Sequence, residues 1–172
     1  KIWVERVTAP PSGKVGYFAP GDEGSRLAPR PGENKPYPYS KELSPMTAAG
    51  VLCRLIAGEA RSSKTLKSSV AYILREPPRW QEPKGRDLST VNFYYWHYGT
   101  AALHRYGGAD WKTWSKALQK ALLDSQRRGE VEEAGSWDPI DEWGSIGGRV
   151  YSTAMAAECL TALLLPAPVD KK

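Results

Sequence analysis

Apolar residues recur at helical spacing over five segments of this chain, and no segment shows the alternation typical of a strand. The first segment follows Ser44-Pro45, a hydroxyl cap with proline at the first helical position, and it ends at Gly58. The last one ends before Pro166, which cannot continue a helix. The predicted helices span residues 45–58, 63–76, 92–106, 110–127 and 149–165. The pattern therefore predicts an all-α fold.

A short pattern, Thr-Ala followed by Ala or Met, recurs at a fixed interval of 53 residues. It stands at Thr47, Thr100 and Thr153, inside the first, third and fifth predicted helices. A fixed period of this length is typical of repeat proteins. The helices with the pattern are rich in small or aromatic residues, whereas the second and fourth are more charged. We therefore expect the first, third and fifth helices to form an inner layer, wrapped by an outer layer with one solvated face.

The first 44 residues differ from the rest of the chain in composition. They contain seven of the fourteen prolines and show no apolar period, yet they carry several aromatic side chains. We predict that residues 1–44 are an extended, irregular lead-in that packs on the helical body at 45–166. Residues 167–172 are expected to form a short tail.

Charge and length narrow the classes of partner. The 172 residues carry a net charge of +5, but Lys and Arg are scattered among almost as many acids, so no basic stripe predicts a nucleic-acid partner. No apolar run reaches the length of a membrane span. Cys53 and Cys159 occupy equivalent positions of the repeat, and we expect both to be buried thiols.

Two stretches and one pair of residues carry a family resemblance. The stretches are YYWHYGTAAL at 94–103 and GGRVYSTA at 147–154, and the pair is Gln126 and Trp137. Together they resemble the inner helices and the Gln-Trp element of the prenyltransferase and squalene-cyclase superfamily, most closely its bacterial repeat proteins of unassigned function. The resemblance implies a partial α/α-toroid of about five helices in helical hairpins.

The motifs that carry catalysis in this superfamily are absent from the sequence. No Asp-x-Asp-Asp stretch supplies an acid, and no Asp-x-Cys pair of zinc ligands follows Arg149. We therefore predict neither a metal site nor a cofactor. The nearest acidic residues are Asp138, Asp141 and Glu142, which are candidate acids. Formation of a turn and a cap around Pro139 is the alternative interpretation of these three residues.

The aromatic run at 93–98 is the candidate for ligand binding. Tyr95, His97 and Tyr98 have polar tips and are expected to face a cavity that would hold an apolar chain. The alternative is that the run is buried between the two layers. Arg149 would meet a diphosphate or carboxylate of a ligand, or would pair with Asp138 or Asp141 within the loop.

These observations favour a non-catalytic α/α-toroid repeat module that binds a partner protein or an isoprenoid-like apolar ligand on its inner helices. The alternative is a terpenoid cyclase-like or prenyltransferase-like enzyme, whose acid or metal site lies outside this chain or at the acidic residues. Because an incomplete ring leaves apolar helix flanks uncovered, we also expect self-association or further repeats of the same toroid.

Overall fold

The computed structural model describes residues 2–22, 43–82, 89–130 and 132–166. Within these ranges the chain forms six helices and one two-stranded antiparallel hairpin. The elements are, in chain order, α1 Ile2–Arg6, β1 Thr8–Ala9, β2 Lys14–Val15, α2 Pro45–Ile56, α3 Lys64–Ile73, α4 Phe93–Tyr106, α5 Gly108–Ser125 and α6 Gly144–Leu164. The helical class predicted from the apolar pattern is confirmed.

Most helix ends are set by local signals. Ser44 and Asn92 cap α2 and α4, and the side-chain oxygen of each accepts a hydrogen bond from the backbone N–H three residues further on. Gly107 ends α4 with a φ of 77°, a conformation that glycine adopts without strain. α5 then begins at Gly108 without a side-chain cap, so Asp110, the expected cap, lies in its first turn instead.

α4 is the centre of the fold. It packs against both α2 and α6, while α3 packs on α2 and α5 packs on α4 and α6. Phe93 and Trp96 of α4 are fully buried in one hydrophobic core with Trp114 of α5. In the part of the chain that the structure describes, no helix is both long and apolar enough for a membrane span.

Each threonine of the recurring pattern accepts a hydrogen bond from outside its own helix. The donors are the backbone N–H of Val15, the indole Nε1 of Trp114 and the backbone N–H of Trp137, which lie 2.9, 2.9 and 3.3 Å from the hydroxyl oxygens of Thr47, Thr100 and Thr153, respectively. Loss of the hydroxyl would leave each N–H donor without a partner, which costs free energy of folding where the donor is buried. Each hydroxyl therefore stabilises the contact between its helix and a neighbouring segment.

Residues 2–22 form a small folded unit, where the sequence predicts an irregular lead-in. α1 leads into the hairpin of β1 and β2, whose strands are too short to produce a visible alternation. Val15 of β2 is fully buried against Gly50 of α2, where an added Cβ would lie 2.8 Å from a Val15 methyl group. The unit therefore covers one face of α2. The predictions for residues 23–42 and for the tail at 167–172 fall outside the described residues.

The two cysteines have different environments. Cys159 is buried beside Thr100, and burial raises the pKa of its thiol to about 12, although the hydrogen bond with Thr100 acts in the opposite direction. Cys53 is exposed, so the prediction that both thiols are buried is wrong for this residue. The segments that pack on α2 are residues 2–22, α3 and α4, and the Cys53 side chain remains exposed beside them.

Candidate functional site

The loop before α6 carries two of the candidate acids to the start of α4. Asp141 Oδ2 accepts hydrogen bonds from the backbone N–H of Phe93 at 3.0 Å and from the Tyr151 hydroxyl at 3.1 Å. Glu142 Oε1 accepts one from Asn92 Nδ2 at 2.9 Å. Carboxylates are favourable at a helix N-terminus because the free backbone N–H groups there carry partial positive charge. The pair therefore fastens the loop to α4.

The protonation of Asp141 is strongly affected by its position. Its side chain is 1% exposed, and burial raises its pKa to about 6, although hydrogen bonds from Phe93, Tyr151 and Trp143 oppose the shift. Burial, with the nearby Asp141 carboxylate, also raises the pKa of the Tyr151 hydroxyl. A carboxyl pKa of about 6 is closer to neutral pH than usual, which is a property of acid groups in catalysis. The oxygens of Asp141, however, already accept hydrogen bonds from the protein itself.

Asp138 and Arg149 bind each other within the same loop region. Arg149 Nη2 lies 2.6 Å from Asp138 Oδ1, and Arg127 Nη2 lies 2.5 Å from Asp138 Oδ2. Burial by itself would raise the pKa of Asp138, but the two guanidinium groups hold it below its usual value. Arg149 also donates to the Ser136 hydroxyl at 2.9 Å. Of the two interpretations of Arg149, the structure contains the pairing with Asp138.

Four partly exposed rings, which we call the aromatic cluster, lie beside this loop: Tyr94, His97, Tyr98 and Trp143. The ring of Tyr94 lies 4.8 Å from that of Tyr98 and 6.3 Å from that of Trp143, measured between centroids. The His97 ring lies 5.1 Å from that of Tyr98, edge to face. The cluster therefore offers apolar ring surface with polar tips on α4 and on the loop before α6.

Polar contacts within the cluster fix its rings. Partial burial, together with a hydrogen bond to Tyr98, raises the pKa of Tyr94 to about 12. His97 Nδ1 lies 3.0 Å from Glu158 Oε2 on α6. The indole N–H of Trp143 is buried and has no hydrogen-bond partner among the described residues. A buried donor of this kind is uncommon and is a group that a ligand acceptor would satisfy.

Tyr95, the third residue expected to face a cavity, lies in the core. It is 1% exposed, and its hydroxyl donates to the backbone carbonyl of Ile73 at 2.8 Å. Its ring also packs edge to face on Trp114, 5.5 Å away. The aromatic run is thus divided between the core, which holds Tyr95, and the partly exposed surface, which holds His97 and Tyr98.

Two members of the cluster were missed in the sequence. Tyr94 is four residues from Tyr98, and this spacing places both on one face of a helix, a signal that could have identified it. Trp143 follows the acidic residues in an irregular loop, where no period predicts its direction. α6 also begins at Gly144, earlier than expected, and breaks at Gly148, whose φ is 61°.

The Gln126–Trp137 pair holds the start of this loop against α5. Gln126 follows the last residue of α5, and its Nε2 donates to the backbone carbonyl of Gly135 at 2.9 Å. The Trp137 indole is 2% exposed and donates to the carbonyl of Leu122, in the last turn of α5, at 2.8 Å. These bonds fix the direction in which the chain enters the loop before α6, which carries the acidic residues and which we call the acidic loop.

Metal ligands do not converge within the described ranges. No group of three or more His, Cys, Asp or Glu side chains there is placed to hold a metal ion. His97 and His104 lie seven residues apart on α4, about 10 Å along the helix axis.

In comparisons with known proteins, no family model, no curated protein and no solved structure gives a significant match to this chain.

Proposed function

We propose that this chain is a non-catalytic helical repeat module, a partial α/α-toroid, that binds an apolar ligand at the aromatic cluster. The ligand would be an isoprenoid-like chain or an apolar segment of a partner protein. The observation that carries the proposal is the set of partly exposed rings of Tyr94, Tyr98 and Trp143. Aromatic faces with a few polar tips are typical of sites for apolar ligands.

The state of the polar groups supports binding over catalysis. Asp138 is paired with two arginines. Asp141 accepts hydrogen bonds from Phe93 of α4 and Tyr151 of α6, and a third from the backbone N–H of Trp143 within the same loop. His97 is paired with Glu158. A general acid or base needs a geometry that reaches a substrate, and these groups are engaged with the protein itself.

The packing of the helices supports the toroid interpretation. α4 contacts α2 and α6, and α3 and α5 each pack on members of this set. Such an arrangement is compatible with an inner layer of α2, α4 and α6 and an outer layer of α3 and α5. The aromatic cluster would then lie on the inner-helix surface, with rings contributed by α4 and by the loop before α6.

Thermal unfolding in the presence of farnesol tests the proposal, with farnesyl diphosphate as a second probe. We expect farnesol to raise the melting temperature, and Tyr98→Ala and Trp143→Ala to abolish the rise. Trp3→Ala is the matched control, since Trp3 is an exposed aromatic residue on α1, outside the cluster, and its loss should leave the rise unchanged. The site would be refuted if neither probe raised the melting temperature, or if Trp3→Ala abolished the rise as completely as the two cluster variants.

A second candidate function rests on the burial of the Asp141 carboxyl group in contact with Phe93 and Tyr151. Burial raises the pKa of this carboxyl group to about 6, so it stays protonated at a higher pH than a free aspartic acid, and a terpenoid cyclase-like enzyme needs a protonated acid beside aromatic rings. Incubation with squalene or farnesyl diphosphate, followed by mass spectrometry, tests this function. Products that Asp141→Asn eliminates, while Trp3→Ala retains them, would establish catalysis in place of simple binding.

A further inference from the structure

A cavity that shares no residue with the aromatic cluster lies between the β1–β2 hairpin and the start of α3. Its volume is about 620 Å³, which is within the range of small-molecule sites in proteins. We call it the hairpin cavity. Residues 8–11 and Gly13 of the hairpin line it, together with side chains from α1, α2 and α3. Four of the lining residues carry a charge: Glu5, Arg54, Glu59 and Lys64.

The guanidinium group of Arg54 is the buried charge of this cavity. Arg54 is 4% exposed, its Nη1 lies 2.8 Å from Glu59 Oε2, and its Nη2 donates to Thr8 Oγ1 at 2.9 Å. Its buried Nε has no hydrogen-bond partner within the part of the chain that the structure describes. A guanidinium carries five N–H donors, and a buried donor without an acceptor is costly. The wall of the cavity therefore contains a charged group whose donors the protein does not fully satisfy.

Two further charges of opposite sign line the same cavity. Lys64 is the first residue of α3 and Glu5 lies on α1, and neither forms an ion pair with another described residue. The first turn of α3 contains no acidic residue, so its backbone N–H groups add partial positive charge beside Lys64. Thr65 and Ser68 also line the cavity, from the same face of α3. The cavity thus presents a cation, a carboxylate and two hydroxyl groups to a ligand.

The balance of charge selects the class of ligand. Arg54 and Lys64 are positive and Glu5 and Glu59 are negative, so the formal charges of the lining cancel. A simple anion beside Lys64 would be repelled by Glu5, and a simple cation beside Glu5 would be repelled by Lys64. An apolar ligand would take charged groups out of water without offering them a partner. A ligand that carries one charge of each sign avoids all three costs.

We propose that the hairpin cavity binds a small zwitterion such as a dipeptide. The carboxylate of the ligand lies beside Lys64 and the guanidinium group of Arg54, and its ammonium group lies beside Glu5. The hydroxyl groups of Thr65 and Ser68 serve the polar atoms between the two charges, because a hydroxyl both donates and accepts hydrogen bonds. An extended dipeptide spans about 7 Å, a length that a cavity of about 620 Å³ accommodates.

Titration of the ¹⁵N-labelled full chain with glycylglycine, followed by NMR, tests the proposal. The amide signals that shift should belong to residues 5–13 and 64–68, and their concentration dependence gives the Kd. N-acetylglycine keeps the carboxylate but lacks the ammonium group, whereas glycylglycinamide keeps the ammonium group but lacks the carboxylate. Each should bind about three- to tenfold more weakly than glycylglycine, because each loses one charged contact at a partly exposed site.

Two substitutions at exposed residues separate the two contacts without disturbing the core. Lys64→Gln should remove the preference for glycylglycine over glycylglycinamide, and Glu5→Gln should remove the preference over N-acetylglycine. Lys67→Gln is the matched control, since Lys67 is an exposed lysine of α3 that does not line the cavity, and it should keep both preferences. The proposal would be overturned by an absence of shifts, by shifts elsewhere in the chain, by equal binding of the three compounds, or by a control that behaves as Lys64→Gln does.

Discussion

Replacement of Thr100 by valine tests whether the recurring threonines hold the fold through their hydroxyl groups. Thr100 Oγ1 is the acceptor for Trp114 Nε1 at 2.9 Å, and both side chains are buried, with exposures of 2% and 0%. Valine has nearly the same shape, so Thr100→Val leaves no cavity but removes the acceptor. A buried N–H without a partner costs about 1–3 kcal/mol. The additional buried methyl group stabilises the folded state by about 0.8 kcal/mol.

The expected net loss of unfolding free energy is therefore about 0.2–2.2 kcal/mol, with a central value of about 1.2 kcal/mol. For a slope of about 2 kcal/mol per molar urea, the midpoint of urea unfolding should fall by about 0.1–1.1 M, with a central value of about 0.6 M. Thr113→Val is the matched control, because Thr113 is exposed and its hydroxyl bonds only within α5, to the carbonyl of Ala109. Its effect should stay within about 0.5 kcal/mol.

A double-mutant cycle separates the hydrogen bond from other effects of Thr100→Val. In a Trp114→Phe background the indole N–H is absent, so Thr100→Val should cost about 1 kcal/mol less than in the natural chain. Equal midpoints for Thr100→Val and Thr113→Val would refute the reasoning. An equal cost of Thr100→Val in both backgrounds would also refute it.

Two further predictions concern the packing of α4 and the acid beside it. A Cβ on Gly99 would lie 2.4 Å from the ring of the fully buried Trp114, so the clash in Gly99→Ala, at about 3 kcal/mol, should exceed the gain of about 1 kcal/mol in helix propensity. Calorimetry should show a melting temperature about 4–8 °C lower, and an unchanged or higher one would contradict the close packing. Folding raises the pKa of Asp141 from 3.8 to about 6, so the folded state holds this proton more tightly than the unfolded state. Its stabilising contribution is complete below about pH 4 and is lost as the pH rises through about 6, with a magnitude of about 3 kcal/mol. The unfolding free energy of the natural chain, minus that of Asp141→Asn, should therefore fall between pH 4 and 7, and a constant difference would show that the shift is absent.

The helix boundaries could be predicted where a cap or a breaker lies within a few residues of the helix end. Ser44 and Asn92 cap α2 and α4, and Gly107 ends α4, all through bonds to backbone groups within four residues. α5 shows the limit of this reasoning. It begins at Gly108, in front of the expected cap Asp110, because its first turn continues directly from Gly107.

The candidate site was predictable in its residue types more than in its geometry. The acidic loop and the aromatic run were both identified, but their partners lie tens of residues away. Asp141 accepts a hydrogen bond from Phe93, 48 residues earlier in the chain. The run at 93–98 alternates between core and surface because six consecutive residues point in every direction around a helix. Neighbouring helices then decide which of those directions are covered.

The sequence by itself determined the helical class and the approximate positions of the long helices, because apolar period, caps and breakers act over one or two turns. Tertiary structure decided which groups are buried and what they contact. It covers Cys159 but leaves Cys53 exposed, it places Tyr95 in the core, and it turns residues 2–22 into a folded unit on α2. The physical reason is that desolvation and packing depend on side chains far apart in the chain, and a local sequence pattern does not specify which of these side chains come into contact.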